Sequence, residues 1–276
     1  MLTDYHVHTA FSCDSNYPME DVVKDAIRLN LEEITFTDHV DYGVTLDHDE
    51  YVKSESNKEL PPLNVDYPRY FEKIAEMKQK YAQQIRILAG LEMGMQRHTV
   101  ERYQKLFSQW PLEFVILSIH EVDNSEFWNQ DYMRGKSQRE FQRGQYLELL
   151  EVVKHYKDYS VIGHIDSIKR YDRNPEYPFE EYRDILEEIF KIVIADGKGI
   201  EVNTSSVRYH LPDFQPSTDI LKLYRDLGGE VITVGSDSHK PEHLASYIQV
   251  SRNHLKDLGF KAYCSFEDMK PIFHKL

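Results

Sequence analysis

Asp4-Tyr5-His6-Val7-His8-Thr9 ends a run, Met1 to Val7, that has the length and composition of one β-strand. Side chains two apart on a strand share a face, so His6 and His8 aim the same way from its C-terminal end. Two imidazoles converging from one strand form a metal bidentate, since neutral histidine nitrogen suits zinc, iron and manganese alike. Two histidines that merely flank a turn would look the same, because a short motif settles little by itself. The recurrence of the arrangement down the chain decides between them.

After a polar turn, Pro18 opens a helical pattern in Met19, Val22, Val23, Ala26 and Ile27. The β-rich run Ile34 to Thr37 follows and stops at Asp38-His39. Helical spacing returns in Tyr70, Phe71, Ile74, Met77 and Tyr81, then a strand from Ile85 to Leu91 delivers Glu92. A helix through Tyr103, Leu106, Phe107 and Trp110 precedes the apolar strand Phe114 to Ile119, which ends at His120. Ser137-Gln138-Arg139-Glu140 is a capping box that starts the next helix, and the strand Ser160 to Gly163 ends at His164. A helix over Tyr182 to Val193, a strand from Gly199 to Asn203 and a helix over Ile220 to Leu227 come next. Gly228-Gly229 is the expected stop. Val231 to Val234 is the last clear strand and closes on Asp237 and His239; Pro241 is expected to start a terminal helix, and Phe260 to Cys264 a short strand.

Strand and helix alternate with no break in composition, which predicts a single-domain α/β fold around a parallel sheet. His6 with His8, His39, Glu92, His120, His164, and Asp237 with His239 all fall at strand C-terminal ends, on six different strands. A closed barrel gathers those ends on one rim, whereas the outer strands of an open sheet lie too far apart to share a site. The sequence therefore predicts a TIM-like barrel. Six of the 13 histidines sit at these positions, and one metal cluster explains them together. The irregular, charged stretch from Gly43 to Asp66 is long enough to be a lid or insertion over the rim.

Composition narrows the chemistry. Hydrophobic residues are 41% of the 276 and charged ones 29%, enough for a substantial core. Cys13 and Cys264 are too few for a disulfide framework, and no run is apolar and long enough to span a membrane, so a cytoplasmic protein is expected. Cys13 lies near the histidine pair, where a ligand role competes with simple packing. The formal charge of −14 opposes binding to nucleic acid, but a metal cluster can still attract a small phosphorylated substrate.

The set His6-x-His8, Asp38-His39, strand-end Glu92, Ser118-x-His120, Gly163-His164 and Gly235-Ser236-Asp237-x-His239 resembles the polymerase and histidinol phosphatase (PHP) superfamily over essentially the whole chain. The segment from Gly163 to Arg170 is most similar to the histidinol-phosphate phosphatase branch. The resemblance implies a distorted (β/α)7 barrel with two or three divalent ions, zinc, manganese or iron, at its strand C-termini. It assigns His6, His8, Glu92 and Asp237 to one metal, and His120 and His164 to a second with Glu92 bridging. Asp14, His39 and His239 would hold the third. Asp14 departs from the all-histidine form of that site, and a harder carboxylate there favours manganese or iron.

The expected reaction is phosphomonoester hydrolysis, with L-histidinol phosphate as substrate in histidine biosynthesis. Two neighbouring cations lower the pKa of a shared water from about 15.7 toward 7, and the resulting hydroxide attacks phosphorus in line. Asp237 and His239 are the candidates to assist proton movement, with Glu92 holding the cations together. Arg208 is the candidate phosphate clamp, since a guanidinium matches phosphate oxygens; Lys169 and Arg170 are further candidates. Glu121, Asp123 or the acidic stretch from Asp41 to Glu50 can receive a cationic substrate group. Phe127, Trp128 and Tyr132 can wall the pocket, and residues 170–179 can cover it. The competing readings are a nucleotide or oligonucleotide-end phosphoesterase on the same site and a non-catalytic metal-binding module.

Overall fold

The computed structural model describes residues 1–52, 62–174 and 177–276. In chain order the elements are β1 (Thr3–Val7), α1 (Met19–Arg28), β2 (Glu33–Phe36), β3 (His39–Val40), α2 (His48–Val52), α3 (Tyr67–Lys80), β4 (Arg86–Gly94), α4 (Val100–Gln109) and β5 (Phe114–Ser118). Then follow β6 (Glu121–Val122), β7 (Ser125–Glu126), α5 (Gln138–His155), β8 (Val161–Ile162), α6 (Arg183–Ala195) and β9 (Gly199–Asn203). The chain continues with α7 (Thr218–Asp226), β10 (Ile232–Gly235), α8 (Ile248–Asp257), β11 (Ala262–Glu267) and β12 (Lys270–Lys275).

Seven strands pair in parallel in the order β1-β2-β4-β5-β8-β9-β10, with β3 as a short addition beside β4. The ends of this sheet meet. Val7 bridges Ser238, the His8 N–H donates to Ser238 O at 2.8 Å, and the Ser238 N–H donates to His6 O at 3.2 Å. Asp4 secures the seam: its buried carboxylate accepts from the backbone N–H groups of Ser236 at 2.8 Å and Ala245 at 2.9 Å. The first residue of the Asp4-to-Thr9 stretch thus closes the barrel, and its histidines face what the barrel encloses. Only a few bonds close the β1–β10 seam, and β1 shifts register against β2 between Asp4 and Val7, so the (β/α)7 barrel is distorted.

The helices bury the stripes that their periodicity marks out. Met19, Val22, Val23 and Ala26 of α1 are all buried, and the Ser137 side chain accepts from Glu140 N in the expected capping box. α7 stops before Gly228, whose φ of +93° is left-handed backbone that favours glycine.

Four expectations need correction. β4 does not end before Glu92 but runs on to Gly94, because it is paired there on both sides: His39 and Val40 of β3 stand opposite Glu92 and Met93, and Ile116 to Ser118 of β5 opposite Glu92 to Gly94. Pro241 opens only a single turn; the helix proper starts at Ile248, after Tyr247 reverses the chain at φ +59°. The tail is a hairpin of β11 with β12 rather than one short strand. Its Cys264 and Phe266 join Tyr5, Leu88, Phe114, Ile116 and Val161 in a core that fills the barrel at the strand N-termini. Finally, the stretch from Gly43 to Asp66 is not all irregular: α2 lies in it and Leu46 bridges Leu63, while residues 53–61 of the expected lid lie outside the described residues. Among the described residues no helix is long and apolar enough to cross a membrane.

Candidate metal centre

At the C-terminal rim six imidazoles gather around one carboxylate. Neighbouring ring centroids are 5.0 Å apart for His6–His8, 4.2 Å for His8–His39, 5.3 Å for His39–His120, 5.4 Å for His120–His164 and 5.6 Å for His164–His6. The His239 ring stacks on His8 at 4.0 Å. Fully buried Glu92 stands in the middle. Its Oε2 is 3.0 Å from His6 Nε2, 3.4 Å from His8 Nε2 and 3.1 Å from His39 Nδ1. Its Oε1 is 2.8 Å from His164 Nε2 and 3.2 Å from His120 Nε2, and accepts from Ser118 Oγ at 2.6 Å. The long strand β4 is what carries this carboxylate above the apolar layers to the level of the other strand ends.

Asp237 closes the ring from the side of β10, with Oδ1 3.5 Å from His8 Nε2 and 3.6 Å from His239 Nδ1. Asp14, from the loop after β1, places Oδ2 3.1 Å from His239 Nε2 and 3.6 Å from His39 Nε2. Burial alone would raise the Glu92 and Asp237 pKa values, but the surrounding imidazoles, with Arg170 at Asp237, hold both well below the usual carboxylate range. His8 is pushed the other way: burial, then the neighbouring His239 and His39, keep it neutral.

This cluster is an expensive thing to bury without a cation. His8 Nε2 and His39 Nδ1 are buried and form no hydrogen bond, although both face carboxylate oxygens. Three-residue donor sets recur around the ring: His6/His8/Glu92, His6/His164/Asp237, Glu92/His120/His164, His8/His39/His239 and His39/Asp41/His120. Within each set the donor atoms lie within 4.8 Å of one another. Against the effect of burial, the carboxylates facing His6, His39 and His120 push those rings toward the charged form, so a metal ion would displace their protons. Imidazoles interleaved with carboxylates are the donors that divalent metal ions take, and the residues fit such ions.

The PHP domain model matches residues 4–205. The chain belongs to the PHP domain family. The PHP match ends before Asp237 and His239, so their place in this centre rests on the geometry above. Among related proteins, the histidinol-phosphatase of Lactococcus lactis subsp. lactis (strain IL1403) is 31% identical over 270 residues, 97% of this PHP chain and 95% of that protein. A crystal structure of histidinol phosphate phosphatase from that organism, complexed with zinc, L-histidinol and phosphate, matches with a TM-score of 0.82. Its identity is 29%, over 98% of each chain. A structure from Listeria monocytogenes, at 22% identity and covering 89% of this chain and 98% of that one, shares the PHP fold with a TM-score of 0.68.

A cavity of about 490 Å³ opens over the PHP centre. One arc of its wall, from β8 to β10, carries Arg170, Tyr171, Arg208, Tyr209 and Asp237. The arc from β3 to β7 carries Asp41, Glu121, Glu126 and Phe127, with Trp128 next in the chain. Two of the expected substrate contacts change places here. Lys169 is not at the cavity: its ammonium lies 3.0 Å from buried Asp166 and over the Tyr182 ring, because the turn after β8 points it outward against α6. Arg170 takes the inner position, 7% exposed, 3.0 Å from Asp237 Oδ2 and donating to Gln215 Oε1 and Ser205 Oγ at 2.8 Å each. Arg208 lines the cavity, but its guanidinium donates to the backbone carbonyls of Ser236 at 2.8 Å and Asp237 at 2.7 Å. It holds a turn in which Asp237 has φ +55°.

Glu121 is buried at the cavity wall. Its Oε1 accepts from Gln96 Nε2 at 3.3 Å and its Oε2 has no partner. Burial and the charge of Asp41 push its pKa well up. Asp123 instead pairs with Arg97 at 3.0 Å outside the cavity. Of the three aromatic candidates, Phe127 and Tyr132 pack on each other at 5.1 Å, while Trp128 lines the cavity with 65% of its surface exposed. In the segment 170–179, Tyr171 reaches the cavity, and residues 175–176 lie outside the described residues. Cys13 lines the cavity too, its thiol pushed up to about 12 by burial and by Asp14, so it stays protonated.

The supporting carboxylates escaped the sequence reading. Asp41 Oδ1 lies 2.7 Å from His120 Nδ1, and a Cβ on Gly94 would stand 1.8 Å from that oxygen. Asp38 accepts from Thr9 N at 2.7 Å and from Ser12 Oγ at 2.8 Å, and Ser12 Oγ is 3.2 Å from His8 Nδ1. Second partners of this kind fix ring orientation and tautomer. Their only trace in the sequence is an acidic residue beside or between ligand motifs, which surface residues leave as well.

Proposed function

We propose that the chain is a metal-dependent phosphomonoesterase that hydrolyses L-histidinol phosphate to L-histidinol and inorganic phosphate. The observation that carries it is the two-sided cavity. Arginines and the imidazole–carboxylate ring meet an anion at one arc, and the buried Glu121 with the partly exposed Asp41 and Glu126 meets a cation at the other, as a substrate with a phosphate ester and an amine requires. The Lactococcus lactis protein, with L-histidinol and phosphate bound beside zinc, supports the same reading.

In this proposal three divalent ions, zinc, manganese or iron, occupy the centre. His6, His8, Glu92 and Asp237 would hold one; His120 and His164, with Glu92, would hold another; Asp14, His39 and His239 would hold the third, each set containing groups in short contact. When bound, such ions lower the pKa of a coordinated water and neutralise charge on phosphoryl oxygens. Arg170 orients the ester from beside Asp237, its guanidinium already fixed by Gln215, Ser205 and Asp237. Arg208 acts one step back, by holding the turn that presents Asp237. His239 and Asp237 are assigned to assist proton movement toward the departing alcohol oxygen. Glu121 takes the substrate's ammonium, and Trp128 covers the organic end.

The test is phosphate release by metal-loaded protein from L-histidinol phosphate, sugar phosphates and a 3′-phosphorylated oligonucleotide. The proposal expects L-histidinol phosphate to be preferred, and expects chelation to remove the activity and divalent metal to restore it. Preference for the oligonucleotide would favour the phosphoesterase alternative, and activity surviving complete removal of metal would refute the mechanism.

A further inference from the structure

We infer that Glu201 is a positioning residue of the metal centre: it fixes the His6 tautomer and ties it to the backbone at His164, and Gly235 lacks a side chain to make room for it. Glu201 lies mid-way along β9 and is fully buried. None of the donor sets around the ring includes it. Its Oε1 sits 2.6 Å from His6 Nδ1, while its Oε2 accepts from the His164 backbone N–H at 3.0 Å and from Asn203 Nδ2 at 3.1 Å. Oε2 already accepts two N–H bonds and Oε1 is left to accept from His6 Nδ1; with the proton held there, Nε2 is the nitrogen left to meet a metal ion beside Glu92. One side chain thereby sets a ligand from β1 and the start of the rim segment after β8.

The glycine of the late motif fits this role. A Cβ on Gly235 would stand 2.4 Å from Glu201 Oε1 and 2.3 Å from His6 Cβ. Any side chain there would part the pair.

The inference rests on His6 being a metal ligand, and the test separates the two ideas. Three donors converge on Glu201, and glutamine has one acceptor oxygen. In Glu201→Gln, either the amide NH2 opposes the His164 and Asn203 donors, or it faces His6 Nδ1 and drives the proton to Nε2, where a ligand must be bare. Zinc affinity of the full chain, measured by chelator competition, should fall about 10- to 100-fold, the usual loss when such a partner is removed. The melting temperature of metal-free protein should change little. In a His6→Ala background the same substitution should have no further effect on zinc affinity. Wild-type zinc affinity in Glu201→Gln, or an equal loss in both backgrounds, would overturn the inference. If His6→Ala alone leaves zinc binding untouched, the ligand reading falls and takes this one with it. A further measurement needs no variant: nitrogen-15 shifts of zinc-loaded wild type should report His6 protonated at Nδ1 with zinc at Nε2, and a proton on Nε2 would overturn the tautomer assignment.

Discussion

Replacing Glu121 with glutamine separates substrate recognition from the metal chemistry. The carboxylate is 1% exposed, lines the cavity, and keeps one oxygen without any partner. A hydrogen bond to a charged group contributes about 1.5–3 kcal/mol. The substrate's ammonium is the cation that holds Glu121 ionised in the complex, so loss of the carboxylate should lower kcat/KM for L-histidinol phosphate by roughly 10- to 150-fold, since about 1.4 kcal/mol is a factor of ten. The comparison substrate is the same ester without its amino group, for which the variant should keep wild-type kcat/KM. Stability should move in the opposite direction. Burial, then Asp41, raises the Glu121 pKa in the folded protein above its unfolded value. The folded state then binds the extra proton, so stability falls as pH rises from the unfolded pKa toward the folded one. Glutamine removes that penalty. Metal-free Glu121→Gln should melt at or above wild type, with the difference growing as pH rises above about 4.3. Equal kinetic losses on both esters, or a variant that loses stability with rising pH as wild type does, would refute the assignment.

His120→Ala should abolish turnover and lower bound metal per chain, with the metal-free melting temperature nearly unchanged because the ring is at the rim and 22% exposed; elemental analysis and calorimetry check this. Lys169→Met should leave KM and kcat unchanged while destabilising the fold by about 3–5 kcal/mol, as expected when one partner of a buried pair is removed from Asp166. Urea unfolding with parallel kinetics distinguishes this from a substrate contact. Phe266→Ala, at the filled end of the barrel opposite the metals, should cost about 3–5 kcal/mol in the same unfolding assay, again with KM preserved.

The barrel and the ring of imidazoles and carboxylates on its rim were legible because their signals are local. A strand end two residues from another histidine is visible in six letters, and Glu92, His120 and His164 repeat the pattern after apolar runs of strand length. The errors fall where a partner distant in sequence decides the outcome. β4 outruns its apolar stretch because β3 on one side and β5 on the other pair with its upper part. The terminal hairpin exists because the open end of the barrel needs filling; β12 itself, with most of its residues exposed, has little apolar pattern to announce it. Lys169 and Arg170 are adjacent basic residues, and which one faces the cavity depends on one turn after β8 that periodicity cannot resolve. Arg208 was legible as a cation near the rim but not as a ligand of two backbone carbonyls.

The same contrast bears on how the centre is built. Most of the proposed ligands lie in or beside the turns after strands, where a histidine can point inward at little cost, although Glu92, like Glu201, comes from inside its strand. Their supports need fixed backbone, and come from inside a strand, as Glu201 does, or from the short segments just beyond β2, as Asp38 and Asp41 do. A carboxylate inside a barrel strand is costly to bury unless it is met by donors, and Glu201 meets three from β1, the β8 rim and β9. That requirement couples metal binding to closure of the barrel. His6, which Glu201 orients, lies two residues from Asp4, and Asp4 holds Ser236, the neighbour of Asp237. A substitution that loosens the β1–β10 seam should therefore weaken metal affinity even without touching a ligand, because it shifts His6 and Asp237 relative to one another.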